Sequence, residues 1–455
     1  MAMKVASPPR AISLGQLHAD QQKAHLALAP HRFKALRCGR RYGKTEFAKT
    51  WIAQGLLQRQ CCAWFSPQHM TSAEAYVELE RMLAPSVVTS SRTDSVIRLR
   101  AGGRVDFWSL ENPNAGRSRG YDRVVIDEAA FAKNGDVRTE GSMMAIWERS
   151  IKPTLFDRSG QALVCSNSAG KSFDNFFYNI CTDPQYGFHE YHATTHDNPL
   201  LPKRNAGESK HDWLERREYE LASLVRDNDP LVFAQEYRAE FVDWAGVTFF
   251  VRDKLLDQGN PVPYPTNCDV VYAVIDTASK TGTEHDATAV TYYAYDQHAK
   301  GPRLVILDWD IDQIEGAVLE AWLPSVFTRL EELSRLCRAR GGSIGAYIED
   351  KNSGTILLQQ ARRRGMQAEA IKSKLTAMGK DERAISVSGY VHRELIKYSE
   401  HAFLKTRKYK RTSRNHLLDQ VEGFRIGDKD SDREDDLLDT FCYGIAIALG
   451  DRDGF

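Results

Sequence analysis

Arg37-Cys38-Gly39-Arg40-Arg41-Tyr42-Gly43-Lys44-Thr45 gives the way into this chain. It follows residues 31–37, where Phe33, Ala35 and Leu36 form a short apolar, strand-like run. It precedes residues 46–57, which read as a helix. Gly-Lys-Thr at such a junction is the second half of a phosphate-binding loop, GxxxxGK[ST]. In that loop backbone N–H groups cradle the phosphates, the lysine neutralises the β and γ oxygens and the hydroxyl ligates Mg²⁺. Gly43, Lys44 and Thr45 fill this half, and the helix aims its N-terminus at the phosphates. At the first glycine position stands Cys38, with Gly39 one place late. A glycine-containing turn with incidental basic residues would show the same letters, so the loop needs an acidic partner.

That partner is Tyr121-Asp122-Arg123-Val124-Val125-Ile126-Asp127-Glu128, a buried β-run that ends in two carboxylates. Asp127 would hold Mg²⁺ through water, and Glu128 would orient and polarise the attacking water. A strand ending in a solvated acidic turn is the bland alternative. Both motifs in this order, each following a strand, point to nucleoside triphosphate hydrolysis. Between them lie a strand at 63–66, a helix at 72–83 and strands at 96–100 and 104–109. Afterwards Ala162–Gly170 forms another strand with a polar end. In RecA-like ATPases such a loop, here Ser166 and Asn167, senses the γ-phosphate; by spacing alone it could also be a structural turn.

A chain of 455 residues exceeds one ordinary core, so two or three domains are expected. Lys+Arg and Asp+Glu both number 61, so any nucleic-acid surface must be local. The eight cysteines show no CxxC pairs or zinc-ligand spacing, which argues against zinc and a disulfide framework. With no run of about 18 apolar residues and no apolar leader, a soluble, non-secreted protein without membrane contact is expected.

Residues 195–243 are polar and helical, with Trp213, Leu214, Tyr219, Leu221 and Leu224 at core-compatible spacing. Gly259, Pro261, Pro263 and Pro265 have connector composition. Three strands then follow without intervening helices, at 269–276, 287–295 and 303–309, which suggests an antiparallel meander. A helix at 313–340, a strand at 343–350 and a helix from Glu434 to Ala448 complete the pattern. Carboxylates close two of these strands and open the last helix: Asp276, Glu349-Asp350 and Asp435-Asp436 with Asp439. Each cluster alone reads as an acidic cap. Together they supply hard oxygen ligands for two Mg²⁺ or Mn²⁺ ions about 3.5–4 Å apart, as a two-metal nuclease needs. Glu349 and Asp350 point to opposite faces if the strand continues through both, so one serves; Glu349 is favoured and Asp350 stays open. Of the helical group, Asp436 is the first choice. The basic residues Arg362-Arg363-Arg364, Lys372, Lys374, Lys380 and the run Lys405–Arg414 offer a sequence-independent phosphate surface or a solvated basic loop.

The segments CGRRYGKT, WFSPQHM, RSRGYDRVVIDEAAF and CSNSAG resemble the large terminase subunit of tailed bacteriophages. Asp276, the IEDKNSG segment from Ile348 and the DDLLDT segment from Asp435 extend the resemblance over nearly the whole chain. Ser-Asn-Ser-Ala-Gly at 166–170 departs from the family's usual Ser-Thr-Pro-x-Gly, and Thr440 replaces an alanine. The resemblance implies an α/β protein: a RecA/ASCE-type P-loop ATPase core over 1–194, a small helical lid over 195–245, a connector over 246–267 and an RNase H-like nuclease domain over 268–455. It adds an adenine-contacting glutamine at Gln21 or, preferred, Gln22. Arg40 and Arg119 become candidate arginine fingers, Arg40 and Arg41 candidates for phosphate or DNA-coupled work, and Asp286 an accessory metal ligand.

The cofactors implied are ATP with Mg²⁺ and two Mg²⁺ or Mn²⁺ in the nuclease. The partners implied are double-stranded DNA, a small terminase subunit, a portal protein on the procapsid, and further copies of the chain in a ring, a pentamer on the capsid from a monomer in solution. The setting implied is the host cytoplasm, outside the mature virion. Two other readings share these residues: a cellular repair ATPase-nuclease, and a packaging factor whose catalytic sites have decayed.

Overall fold

The computed structural model describes residues 14–450 apart from 118, 246, 278–286, 315, 352, 411 and 428–433. The expected accessory ligand Asp286 lies outside the described residues. The chain divides into two compact units, one running to Asp243 and the other from Trp244, with Val225–Asp229 grouped with the second.

The first unit is built on eight strands: β1 (Phe33–Cys38), β2 (Cys61–Ser66), β3 (Val87–Ser91), β4 (Val96–Leu99), β5 (Arg104–Ser109), β6 (Arg123–Asp127), β7 (Gln161–Ser166) and β8 (Phe188–Ala193). Their order across the sheet is β3-β4-β5-β2-β6-β7-β1-β8. From β5 to β8 every neighbouring pair is parallel, whereas β3 and β4 form an antiparallel edge. Parallel strands covered on both faces read as continuous apolar runs, and alternate residues serve opposite cores. Leu36, Trp64, Val125 and Leu163 face a cluster that includes Phe47, Ile52 and Leu79. Ala35, Phe65, Ile126 and Val164 face another with Trp147, Phe176 and Phe177. A parallel sheet collects its strand ends on one edge, where ligands bind. Cys38, Ser66, Asp127 and Ser166 all close strands there. One strand, β7, separates the phosphate-loop strand from the acidic strand, as in a RecA-type sheet.

After β8 come the helices Lys210–Asp227 and Pro230–Glu236. The spacing of apolar residues in the first suggests five core positions, but only Leu221 is buried; Leu214 and Tyr219 are exposed. Periodicity identifies the helix without measuring its buried face, since a helix packed along a narrow stripe leaves flanking apolar residues in water.

The second unit has a six-stranded sheet: β9 (Val270–Asp276), β10 (Thr288–Tyr295), β11 (Leu304–Asp312), β12 (Ser343–Ile348), β13 (Ala368–Ala370) and β14 (Ile396–Tyr398), in the order β13-β12-β9-β10-β11-β14. The first three strands form the expected antiparallel meander, and β12 adds parallel to β9. Helix Gly316–Leu336 covers one face, where Leu323, Val326 and Leu330 meet Val271, Ala273 and Ile275. Helix Asp436–Leu449 covers the other, where Leu437, Phe441 and Ile445 meet Tyr272, Val274 and Tyr293. This is an RNase H-like α/β layering.

Residues 246–267 are more than a tether. Phe250, Leu255 and Leu256 are buried in the core of the second unit. The Val262 N–H donates to the Tyr398 carbonyl at 2.9 Å, and the buried Lys397 Nζ donates to the Leu256 carbonyl at 2.7 Å. The connector composition is thus compatible with a segment partly built into the second unit's core.

Candidate functional site

The phosphate loop is shaped by backbone contacts. The N–H of Gly39 donates to the Ala193 carbonyl at 3.0 Å and that of Arg40 to the Glu236 carbonyl at 2.8 Å. Thr195 Oγ1 donates to the Arg40 carbonyl at 2.6 Å, and Asn198 Nδ2 to the Arg41 carbonyl at 2.8 Å. Gly39 is needed for this approach: a Cβ there would sit 2.1 Å from the Tyr237 carbonyl oxygen. Gly39 stands one place late for the motif, and Cys38 before it is buried at the end of β1.

Lys44 is buried, its amine donating to the Cys38 carbonyl at 3.0 Å. Thr45 Oγ1 lies 3.3 Å from Asp127 Oδ2, so a hydroxyl and a carboxylate oxygen stand side by side at the helix start, donors suited to a hard cation. Burial, then the neighbouring Glu128 charge, pushes the Asp127 carboxyl up to about 7, against the pull of Lys44. Glu128 occupies a left-handed conformation at φ 53°, and Ser166 Oγ donates to its Oε2 at 3.3 Å. The same Ser166 oxygen accepts from the Ala130 N–H at 3.2 Å. Asn167 Nδ2 donates to the buried Glu236 at 2.9 Å, and Arg40 pairs with that same carboxylate.

The two glutamines separate cleanly. Gln21 is buried and donates to the Gly43 carbonyl at 2.9 Å. Gln22, the preferred choice, is turned to the Leu17 carbonyl on the surface. The reversal follows from capping: His18 caps the helix Ala19–Leu28, with Gln21 as its reciprocal partner, which fixes the Gln21 face toward the loop. Arg119 is held by Asp106, with Nη1 3.1 Å from Oδ2, and so is committed within the sheet. Arg41 is exposed at φ 62°. Glu236, Thr195 and Asn198 carry no motif, and nothing in the sequence marks them.

In the second unit, Asp276 at the end of β9 and Glu349 just beyond β12 are both buried. The pairing of β12 with β9 sets Ile348 opposite Ile275, and so brings these carboxylates together. Burial, then the charges of Asp439, Asp436 and Glu349, holds the Asp276 carboxyl far above the usual range. Glu349 shifts down despite burial, because Lys351, Asp276 and Tyr443 all hydrogen-bond to it. The two neighbouring carboxyls are thus pushed in opposite directions, Asp276 up and Glu349 down. Tyr443 Oη donates to Glu349 Oε1 at 3.1 Å.

Asp350 is exposed and accepts from Thr355 Oγ1 at 2.7 Å. Its inclusion as a ligand is therefore not supported by its position. Gly354 closes tightly under Glu349, since a Cβ there would stand 1.8 Å from the Glu349 carbonyl oxygen.

Three carboxylates carry cations: Lys351 of the IEDKNSG segment with Glu349 at 2.6 Å, Lys380 with Asp435, and Arg383, which no motif marks, with Asp439. Buried Arg383 also lies over the Tyr443 ring, 4.3 Å from its centroid. Among the described residues, no three His, Cys, Asp or Glu side chains already stand at metal-ligand spacing. The acidic cluster fits divalent cations by donor chemistry, all of it oxygen, and three carboxylates in and beside it are paired with basic residues.

The basic run Lys405–Arg414 is largely paired. Lys405 contacts Asp308 at 2.7 Å, Arg407 reaches Asp312 at 2.8 Å, Lys410 meets Glu434 at 3.1 Å and Arg414 meets Asp419 at 3.0 Å. These pairs support a small hairpin, β15 (Arg407–Tyr409) with β16 (Thr412–Arg414), and Tyr409 is buried beneath it. Arg411 lies outside the described residues. Arg362 and Arg363 remain exposed in the last turn of the helix Ser353–Arg363.

The structure of the large terminase from a thermophilic bacteriophage matches 94% of this chain and 99% of that chain, with a TM-score of 0.56 and 13% identity. The chain has the large-terminase fold. Sequence similarity points the same way: the chain is 30% identical over 158 residues to the large terminase subunit of Thermus phage G20c and 30% identical over 151 residues to that of Thermus virus P23-45. Each match covers 32% of this chain, and the chain spans only 28% of the length of each of these relatives. No protein-family model matches. The resemblance to large terminases read from the motifs is borne out. Among the described residues no helix is long and apolar enough to cross a membrane.

Proposed function

We propose that this chain is an ATP-driven motor subunit that moves double-stranded viral DNA into a procapsid and cuts concatemeric DNA by two-metal chemistry. The observation that supports it best is one chain carrying both centres: Lys44, Thr45, Asp127 and Glu128 at the edge of a RecA-type sheet, and Asp276 and Glu349 at strand ends of an RNase H-like sheet with Asp436 and Asp439 on the helix that covers it.

In the first unit, Lys44 would leave the loop carbonyls for the β/γ oxygens, and Thr45 and Asp127 would hold the Mg²⁺ of the nucleotide. That cation would neutralise charge developing on the transferred phosphoryl group. Glu128 would orient the attacking water, and Ser166, which touches Glu128, would register the state of that carboxylate. Asn167 and Arg40 share Glu236, a route by which the occupancy of the loop reaches the helix Pro230–Glu236. Gln21 is the candidate for adenine contact. In the second unit, Asp276, Glu349, Asp436 and Asp439 would hold two divalent cations, which supply a metal-activated water and stabilise the leaving oxygen. Cations there would compete with Lys351 for Glu349 and with Arg383 for Asp439.

The partners in this reading are DNA, a small terminase subunit, a portal on the procapsid and neighbouring copies in a ring, all within the host cytoplasm. The test uses the full-length chain in two assays, ATP turnover and Mn²⁺-dependent plasmid cutting. Lys44→Ala and Glu128→Ala should lose turnover and keep cutting; Asp276→Ala should do the reverse. Cutting by Asp276→Ala at the wild-type rate would overturn the nuclease half, and turnover by Glu128→Ala at the wild-type rate would overturn the motor half.

A further inference from the structure

The parallel sheet of the first unit has two edges, and the nucleotide loop uses only one. At the opposite edge, where β6, β7 and β1 begin, topology gathers Arg123, Gln161 and Lys34 on three adjacent strands. Lys34 stands four residues before Cys38, about 13 Å away along the strand. A cavity of about 220 Å³ opens there, lined by these three side chains with Trp51, His25 and Phe47 among others. None of the residues lining it is acidic.

Both cations press on the same indole: Lys34 Nζ lies 5.6 Å from the Trp51 ring centroid and the Arg123 guanidinium carbon 4.9 Å. Lys34 is buried. Its ammonium has three donors, of which one goes to the His31 carbonyl and one to Gln161 Oε1 at 2.9 Å. Arg123 gives one bond to the Trp51 carbonyl at 2.6 Å and one to Gln58 Oε1 at 3.1 Å, out of five donors. Neither cation makes an ion pair among the described residues. Asp122, beside Arg123 in the chain, is turned to the Cys61 N–H at 2.8 Å and to Arg158 at 3.3 Å.

Buried charges are ordinarily paired, because an unpaired one costs several kcal/mol of desolvation. Two neighbouring cations with spare donors and no carboxylate make a site for an anion. Burial, with Arg123 nearby, already pushes the Lys34 amine down to about 8, which is the response of a cation that lacks its counter-charge. The cavity is below the roughly 300–1,000 Å³ of a pocket for a drug-sized ligand and several times the ~30 Å³ share of one water. That size selects a small ion over a nucleotide.

We infer that this cavity binds a small inorganic oxyanion of the phosphate type, held by Lys34 and Arg123, at a site separate from the nucleotide loop. The site does not depend on the motor reading, since it rests on the cavity and its cations alone.

Thermal unfolding of the full-length chain tests it, with inorganic phosphate compared against chloride at equal ionic strength. Phosphate at about ten times its Kd should raise Tm by about 2–4 °C. The rise should persist in Lys44→Ala, which disables the nucleotide loop, and should vanish in Arg123→Gln. A ³¹P line-broadening titration of the same three proteins reads binding directly, and a folded Lys34→Gln variant supplies a second loss. No rise in the wild type, a rise lost in Lys44→Ala, or a rise kept in both Arg123→Gln and Lys34→Gln would overturn the site. A short DNA duplex at matched phosphate concentration should give no shift that depends on Arg123; such a shift would make the ligand a nucleic-acid backbone and overturn the assignment to a free ion.

Discussion

The phosphate loop and the acidic cluster of the second unit are built on opposite plans. The loop is a run of consecutive residues whose backbone is clamped by neighbours and whose lysine waits on its own carbonyls. The cluster is assembled from β9, the end of β12 and the last helix, from Asp276 to Asp439, and its carboxylates are tied to Lys351, Lys380 and Arg383. Local backbone geometry suits a ligand that brings its own charge and metal. A scattered carboxylate set must instead manage its mutual repulsion, and here the raised Asp276 carboxyl and three basic side chains offset it.

The largest effects should come from removing a reacting group on either side of this contrast. Glu128→Gln should lower ATP turnover by about 10²–10⁴-fold, the usual worth of general-base positioning, while nucleotide binding by fluorescence stays within a few-fold. Asp276→Asn should abolish Mn²⁺-dependent cutting with turnover preserved, measured on the same preparation. If either change spread to the other activity, the independence of the two plans would fail.

Next in size are the close approaches that each plan requires. Gly39→Ala would place a methyl 2.1 Å from the Tyr237 carbonyl oxygen, and Gly354→Ala would place one 1.8 Å from that of Glu349. Overpacking of this kind costs about 1–3 kcal/mol. Denaturant melts should show the loss, with Gly39→Ala raising the KM for ATP and Gly354→Ala weakening Mn²⁺ binding by calorimetry.

Proton linkage gives a third comparison. The Asp127 carboxyl lies at about 7 in the folded chain against an ordinary 3.8. Its protonated form therefore contributes stability that is full below about pH 4 and lost as pH rises through 7. Binding of Mg²⁺ must expel that proton, so Mg²⁺ affinity should climb by up to about tenfold per pH unit between those values and level off above 7. Isothermal titration in buffers of different ionisation heat would read the released proton directly. The smallest effect separates the two glutamines. Gln21→Ala should cost about 1 kcal/mol of stability through the lost bond to Gly43, and Gln22→Ala almost nothing.

Much of this molecule is legible in its letters. Gly43-Lys44-Thr45 and Asp127-Glu128 announce themselves because phosphate binding depends on a contiguous backbone turn and on a strand end, both of which leave a local signature. The strands of both sheets follow from apolar runs, and Asp276 from its place at the end of one. What the letters leave open is equally physical. The prolines of 246–267 read as a connector because composition records stiffness and not burial, and Phe250, Leu255 and Leu256 sit in a core. The basic run at 405–414 reads equally as a phosphate surface or a solvated loop because charge in sequence does not show its partners, and Asp308, Asp312 and Asp419 lie elsewhere in the chain.

Which chemistries to propose for the chain is written in its residues, since reacting groups must be the right types at strand and helix ends. Which glutamine meets the loop, which of Glu349 and Asp350 faces the acidic cluster, and that Arg383 reaches Asp439 all emerge only on folding. Those choices turn on helix phase, strand register and the pairing of residues far apart in the chain, where a shift of one residue reverses the outcome and leaves no trace in composition.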